Sequence, residues 1–160
     1  RPAKGRMQRL PIEGYNVYVD YAHTPDGIEQ CLKALVDVPK EKIVFLIGTG
    51  GNRDVTKRPK MGELASTYAG TVVITTDDPR YEAYESITSG IAKGMTHDQF
   101  VEIGDREEAV RYAARLARPD NIVILAGKGH EKYQIIGDEK IPLDEEIIVK
   151  EMIRQMEEQK

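Results

Sequence analysis

Apolar residues along this chain keep two rhythms, and each change from one to the other marks a new element. "KIVFLIGTG" (42–50), "TVVITT" (71–76) and "NIVILAGKG" (121–129) are nearly unbroken apolar runs, two of which stop at glycines. Such runs suit strands covered on both faces, as in a parallel sheet. Between them the apolar positions take helical spacing. Ile28, Cys31, Leu32, Leu35 and Val36 make one buried stripe that ends before Pro39. Helices are predicted over Pro59–Gly70, Glu82–Met95 and Asp105–Arg118, and a last one carries Val149, Met152, Ile153 and Met156. "DQFVEI" (98–103) reads as a further strand, and "KYQIIGDEKIPL" (132–143) separates the last buried strand from the last helix. At the start, "RMQRL", the turn "PIEG" and "YNVYVDYA" predict a β-hairpin at a sheet edge, since Val17 and Val19 alternate with Tyr18 and Asp20. Strands alternating with helices imply right-handed crossovers and a doubly wound, mainly parallel α/β fold with an N-terminal β-hairpin edge.

That topology locates function before any motif does, because open parallel sheets bind ligands beyond the carboxyl ends of their strands. Four polar loops fall there: "DYAHTPD" (20–26), "GTGGNRDVTKRP" (48–59), "TTDDPRYE" (75–82) and "AGKGHEKY" (126–133). "GTGGNRD" matches a dinucleotide fingerprint weakly, since its third glycine position is Arg53; a plain strand-to-helix loop fits equally, although Arg53, Lys57 and Arg58 together favour an anion. In "DYAHTPD", Asp26 suits a helix cap, and His23 and Asp20 fit either a satisfied loop or a site. Asp77 and Asp78 before Pro79 are turn formers, with Pro79 able to open the next helix. Arg80 beside those carboxylates could also grip a molecule bearing both charges, such as an amino acid. "AGKGHE" places Lys128, His130 and Glu131 among glycines; it serves as a tight turn with solvated charges or as a loop that takes an ammonium on Glu131. His97 is given no role.

Composition narrows the choices. The chain has 160 residues, 40% hydrophobic and 31% charged, with a net charge of -4. That suits one domain spanning 1–160 and speaks against nucleic acid or an anionic membrane as the main partner. No apolar run reaches membrane-spanning length, and the basic start lacks a following apolar segment, so a cytoplasmic protein without a signal peptide is expected. The single cysteine, Cys31, excludes an internal disulfide and reads as a buried structural thiol. The three histidines have no metal-ligand spacing, no Ser-His-Asp set can be argued, and no G-x-x-x-x-G-K-[ST] string is present.

With "VDYAHTPDGIEQCL", "GGNRDVTKRPKMGELA", "DDPR" and "AGKGHEKYQ" in that order, nearly the whole chain resembles the C-terminal domain of the Mur ligases, in the branch that adds the third residue of the peptidoglycan stem peptide. The resemblance implies a Rossmann-like domain whose UDP-substrate and ATPase domains lie outside this chain, and which is inactive alone with no catalytic residue of its own. It implies a reaction in which UDP-MurNAc-L-Ala-D-Glu is activated as an acyl phosphate by ATP and Mg2+, bound mainly by the central domain, and then attacked by an amino acid's amine. The amino acid would be held by the residues matching Arg53, Asp77, Asp78, Pro79, Arg80, Gly127 and Glu131, and the nucleotide met by Asp20 and His23. Arg80 implies meso-diaminopimelate. Asp78 stands where diaminopimelate-adding members usually carry Asn, which favours L-lysine and makes it the runner-up. A free-standing nucleotide-binding module and a non-catalytic interaction module are the competing readings.

Overall fold

A computed structural model describes residues 6–52 and 54–160. The elements run β1 (Gln8–Arg9), β2 (Asn16–Asp20), α1 (Pro25–Lys33), β3 (Ile43–Thr49), α2 (Arg58–Tyr68), β4 (Thr71–Thr76), α3 (Tyr84–Ala92), β5 (Phe100–Glu102), α4 (Arg106–Arg115), β6 (Ile122–Ala126), β7 (Tyr133–Ile136), β8 (Glu139–Pro142) and α5 (Glu145–Glu158). Six strands form one sheet in the order β1-β2-β6-β3-β4-β5. Only β1 runs antiparallel, as the edge partner of β2, so the mainly parallel sheet and its N-terminal hairpin edge match the expectation.

Two-residue periodicity divides the apolar runs between two cores. Val44 and Leu46 of β3 and Val123 and Leu125 of β6 pack with Ala113 of α4 and Val149 and Ile153 of α5. Phe45 and Ile47, with Ile124 and Ala126, pack on the opposite face with Leu32 of α1, Met61 and Leu64 of α2 and Ile91 of α3. From β5 the chain doubles back through α4 and inserts β6 between β2 and β3. The central strands are therefore covered twice, which is why their sequences do not alternate.

Local chemistry moves several boundaries. Thr24, not Asp26, caps α1, its Oγ1 accepting from the Gly27 amide at 3.1 Å, while Asp26 sits in the first turn. α1 stops at Lys33, and the chain continues through single turns in which the amides of Leu35 and Val38 donate to Leu32 and Leu35. The helical period lapses there, so Leu35 stays buried but Val36 is 68% exposed, against the predicted stripe. Pro79 opens no helix: α3 begins five residues later, after the extended Ala83, leaving Pro79 buried in the loop. Asp105 does cap α4, its Oδ1 accepting from the Glu108 amide at 3.3 Å. "KYQIIGDEKIPL" forms the antiparallel β7–β8 hairpin, a separate two-stranded sheet.

Candidate functional site

At the carboxyl ends of β2, β3, β4 and β6 the four polar loops enclose one cleft of about 600 Å³. Its wall includes His23 after β2, Arg58 at the start of α2, Asp77, Asp78 and Arg80 after β4, and Gly127 and Glu131 after β6. Arg80 and Glu131, distant in sequence, thus face one space.

The glycine-rich string after β3 serves close packing. A Cβ on Gly51 would lie 1.8 Å from the Pro79 carbonyl oxygen, and the Gly51 amide donates to the Asp78 carbonyl at 2.8 Å. Only glycine lets this loop lie flat on "DDPR". Asn52 extends the clasp: its Oδ1 accepts from the Tyr81 amide at 3.1 Å, and its own amide donates to Glu82 Oε1 at 3.1 Å. Buried Arg58 completes it with two parallel hydrogen bonds to Glu82, at 2.7 and 2.9 Å, and one to the Gly50 carbonyl at 3.0 Å. The Arg58 hydrogen bonds, helped by Ser86 and the Asn52 amide, hold the Glu82 carboxyl down at about 2 against the opposing effect of burial.

The β7–β8 hairpin grips the same loop from the other side. Arg80 has φ of 54°, an uncommon conformation for a side-chain-bearing residue. It is held there because its amide donates to the Ile135 carbonyl at 3.1 Å and its carbonyl accepts from the Gly137 amide at 2.8 Å. Its Nη1 donates to the Asp78 carbonyl at 3.3 Å, which leaves most of the guanidinium's donors for another partner. Gln134 Nε2 donates to the Asp77 carbonyl at 2.7 Å and to Thr76 Oγ1 at 3.1 Å.

Beneath the acidic loops lie two buried cations. The Lys128 ammonium has 0% exposure and pairs with Asp78 Oδ1, with Asp77 Oδ1 at 3.0 Å and with Glu131 Oε1 at 3.8 Å. The Asp77 contact lacks hydrogen-bond alignment and is ionic only. Asp78 Oδ1 also accepts from the Ile135 amide at 2.9 Å. Arg106, also 0% exposed, donates to Glu145 at 2.6 Å and to the carbonyls of Thr76 and Ala126, the last residues of β4 and β6. Burial works against its charge, but Glu145 and Asp77 outweigh that and raise its pKa. Gly127, at φ of 119°, crosses above this guanidinium, where a Cβ would stand 3.3 Å from Nη1.

The two "DYAHTPD" candidates separate. Asp20 is buried, and its oxygens accept from the amides of Met7 at 2.8 Å and Ala22 at 2.7 Å, so its carboxylate holds the hairpin edge and the turn into α1. His23 is exposed on the cleft wall with Nδ1 donating to the Tyr21 carbonyl at 2.7 Å, which leaves Nε2 to face a ligand. His130 instead meets Tyr21, Nε2 to Oη at 3.2 Å. Half-buried His97 ties its loop down through the Ala69 carbonyl at 2.9 Å. Cys31 is buried, its thiol pushed up to about 12 by burial and then by Asp20, as a structural thiol should be. Arg53 lies outside the described residues. Sequence reasoning missed Arg106, Gln134 and the burial of Lys128; Gln134, polar within an otherwise apolar strand run, was the one available signal.

Comparison with known proteins identifies the lineage. The family described as "Mur ligase, glutamate ligase domain" matches residues 5–129. The UDP-N-acetylmuramoyl-L-alanyl-D-glutamate--2,6-diaminopimelate ligase of Caldanaerobacter subterraneus subsp. tengcongensis is 46% identical over 96% of this chain and 33% of its own length. The Rickettsia typhi protein of the same name is 42% identical over 98% of this chain and 32% of its own. A solved diaminopimelate ligase of that name superposes with a TM-score of 0.86 at 37% identity, covering 98% of this chain and 33% of its own. The folylpolyglutamate synthase of Thermotoga maritima, at 20% identity, 81% and 30% coverage and a TM-score of 0.59, shares the fold. The chain spans about a third of the length of the curated relatives it matches. Motif order, cleft architecture and similarity agree, and the chain belongs to the Mur ligase family, as its glutamate ligase domain.

Proposed function

We propose that this chain is the amino-acid-binding domain of an ATP-dependent ligase that joins meso-diaminopimelate to UDP-MurNAc-L-Ala-D-Glu, and that it is inactive without its companion domains. The observation that carries the reading is the convergence of a guanidinium, Arg80, and a carboxylate, Glu131, on one cleft at the strand ends. Diaminopimelate ends in a carboxylate and an ammonium on one carbon. Arg80 would take the carboxylate through its planar fork, and Glu131 with the Gly127 backbone would take the ammonium. The relatives, which are 2,6-diaminopimelate ligases by name, support diaminopimelate over lysine.

Holding the distal end leaves the other amine pointing out of the cleft. That amine, in its unprotonated form, attacks the acyl carbon; the new C–N bond replaces the C–O bond to phosphate, the nitrogen gives up a proton to solvent, and phosphate leaves. The domain's contribution is orientation and exclusion of water, which turns a bimolecular encounter into a directed one. His23, with Nε2 free on the cleft wall, is proposed to meet the nucleotide. Asp20 is proposed to act there through the loop it braces. Among the described residues no three His, Cys, Asp or Glu side chains are arranged to hold a metal ion, so magnesium and the triphosphate would rely on the rest of the ligase. No helix among the described residues is long and apolar enough to cross a membrane.

Amino-acid-dependent ADP release by the full-length ligase tests the reading. Arg80→Ala should lower kcat/KM for meso-diaminopimelate by about 10- to 150-fold, the worth of a charged hydrogen bond. Unchanged turnover would refute it, as would tight ATP or NAD binding by the 160-residue chain alone.

A further inference from the structure

We infer that Lys128 is a positioning residue that sets the charge of the cleft's acidic wall, and through it which side-chain terminus the cleft accepts. The inference rests on reading the cleft as an amino-acid site. Asp77, Asp78 and Glu131 put three carboxylates beside Arg80, a wall that by itself would repel a substrate carboxylate and attract an ammonium. Lys128 changes that balance from below. Its ammonium is wholly shielded from water, stands over the Tyr133 ring at 5.6 Å and has all three acids within 3.8 Å. Its shortest contact is to Asp78 Oδ1, which the Ile135 amide also engages.

Asp78 is therefore not the free anion that its type suggests. Its charge is offset from beneath the wall by the shared Lys128 ammonium, and its Oδ1 accepts from the hairpin's Ile135 amide as an asparagine Oδ1 would. A chain with two adjacent aspartates thereby presents Arg80 to a carboxylate-bearing side chain. Glu131, at 3.8 Å the loosest of the three partners and one-third exposed, keeps its capacity for the ligand's ammonium. Lys128 itself touches no reacting atom; it acts through the acids.

The test compares kcat/KM for meso-diaminopimelate and L-lysine in the full-length ligase and in three variants. Lys128→Met should raise KM for diaminopimelate and swing the preference ratio toward lysine by about tenfold or more, since an uncompensated charge a few ångströms away is worth at least one pKa unit. Asp78→Asn with Lys128→Met restores net charge and should return the ratio to within about threefold of wild type. Asp78→Asn alone, which keeps the acceptor for Ile135, should not move the ratio toward lysine. A purely structural lysine predicts equal losses with both amino acids and no rescue by the double variant, and that result would overturn the inference. Should Lys128→Met fail to fold, a shift toward lysine in Asp78→Asn would overturn it independently. A wild-type ligase active with neither amino acid defeats the reading of the cleft itself; one active with diaminopimelate but showing no charge rescue defeats this inference alone.

Discussion

Single ionisable side chains carry more of this fold than their surface neighbours do. Arg58 and Glu82 face each other with 2% and 15% of their side chains exposed, where an ion pair keeps most of its strength and an orphaned partner is costly. Folding lowers the Glu82 carboxyl from 4.5 to about 2. A depressed folded-state value gives stability that is complete above the unfolded value and lost as pH falls through the folded one. Glu82→Gln should thus cost about 3 kcal/mol at neutral pH. Its deficit against wild type should shrink between pH 4.5 and about 2, as denaturant melts across that range would report. A gap that widened on acidification would contradict the pairing. At this scale the sequence was partly readable. Cys31 announced its burial by falling on an apolar stripe, but Arg58 looked like one of several loop cations, because its partner lies 24 residues away.

Elements were legible where periodicity was strong and illegible where loops pack on loops. The runs in β3, β4 and β6 declared a doubly covered sheet, and "PIEG" declared the hairpin. Val36 was misplaced because one turn past a helix end the 3.6-residue period no longer holds, and no residue there signals the stop. "GTGGNRD" read equally as a weak dinucleotide fingerprint and as a plain strand-to-helix loop, and neither reading foretold that Gly51 is needed because the Pro79 carbonyl occupies the place of a side chain. Gly51→Ala should therefore destabilise by about 2–3 kcal/mol, through a clash that must push the two loops apart. It should also weaken amino-acid use more than the fold, since Asp78 and Arg80 lie on the displaced loop. Thermal melts and kcat/KM measured side by side would separate the two effects. A neutral substitution would show that the loops do not pack as described.

For the molecule as a whole, Arg106 is the cross-member. It joins α4 to α5 through Glu145 and ties the ends of β4 and β6, strands separated in the sheet by β3. Removing one partner of a buried pair leaves the other uncompensated, so Arg106→Met should cost about 3–5 kcal/mol. In a chain of this length that is about 10 °C in Tm. Arg106→Met with Glu145→Leu should regain most of the loss in the same melts. Nothing in the sequence marks Arg106, which stands among charged residues at a helix start like many solvated arginines. The site as a whole was more readable than its supports: all four strand-end loops converge, while the buried cations beneath them do not show. The β7–β8 hairpin has a separate consequence. It belongs to neither core nor main sheet, yet it dictates the pose of Arg80. A change in the hairpin that shifted the Ile135 carbonyl or the Gly137 amide would therefore swing the guanidinium while leaving both apolar cores as they are, so the aim of the cleft's cation and the stability of its scaffold can vary separately.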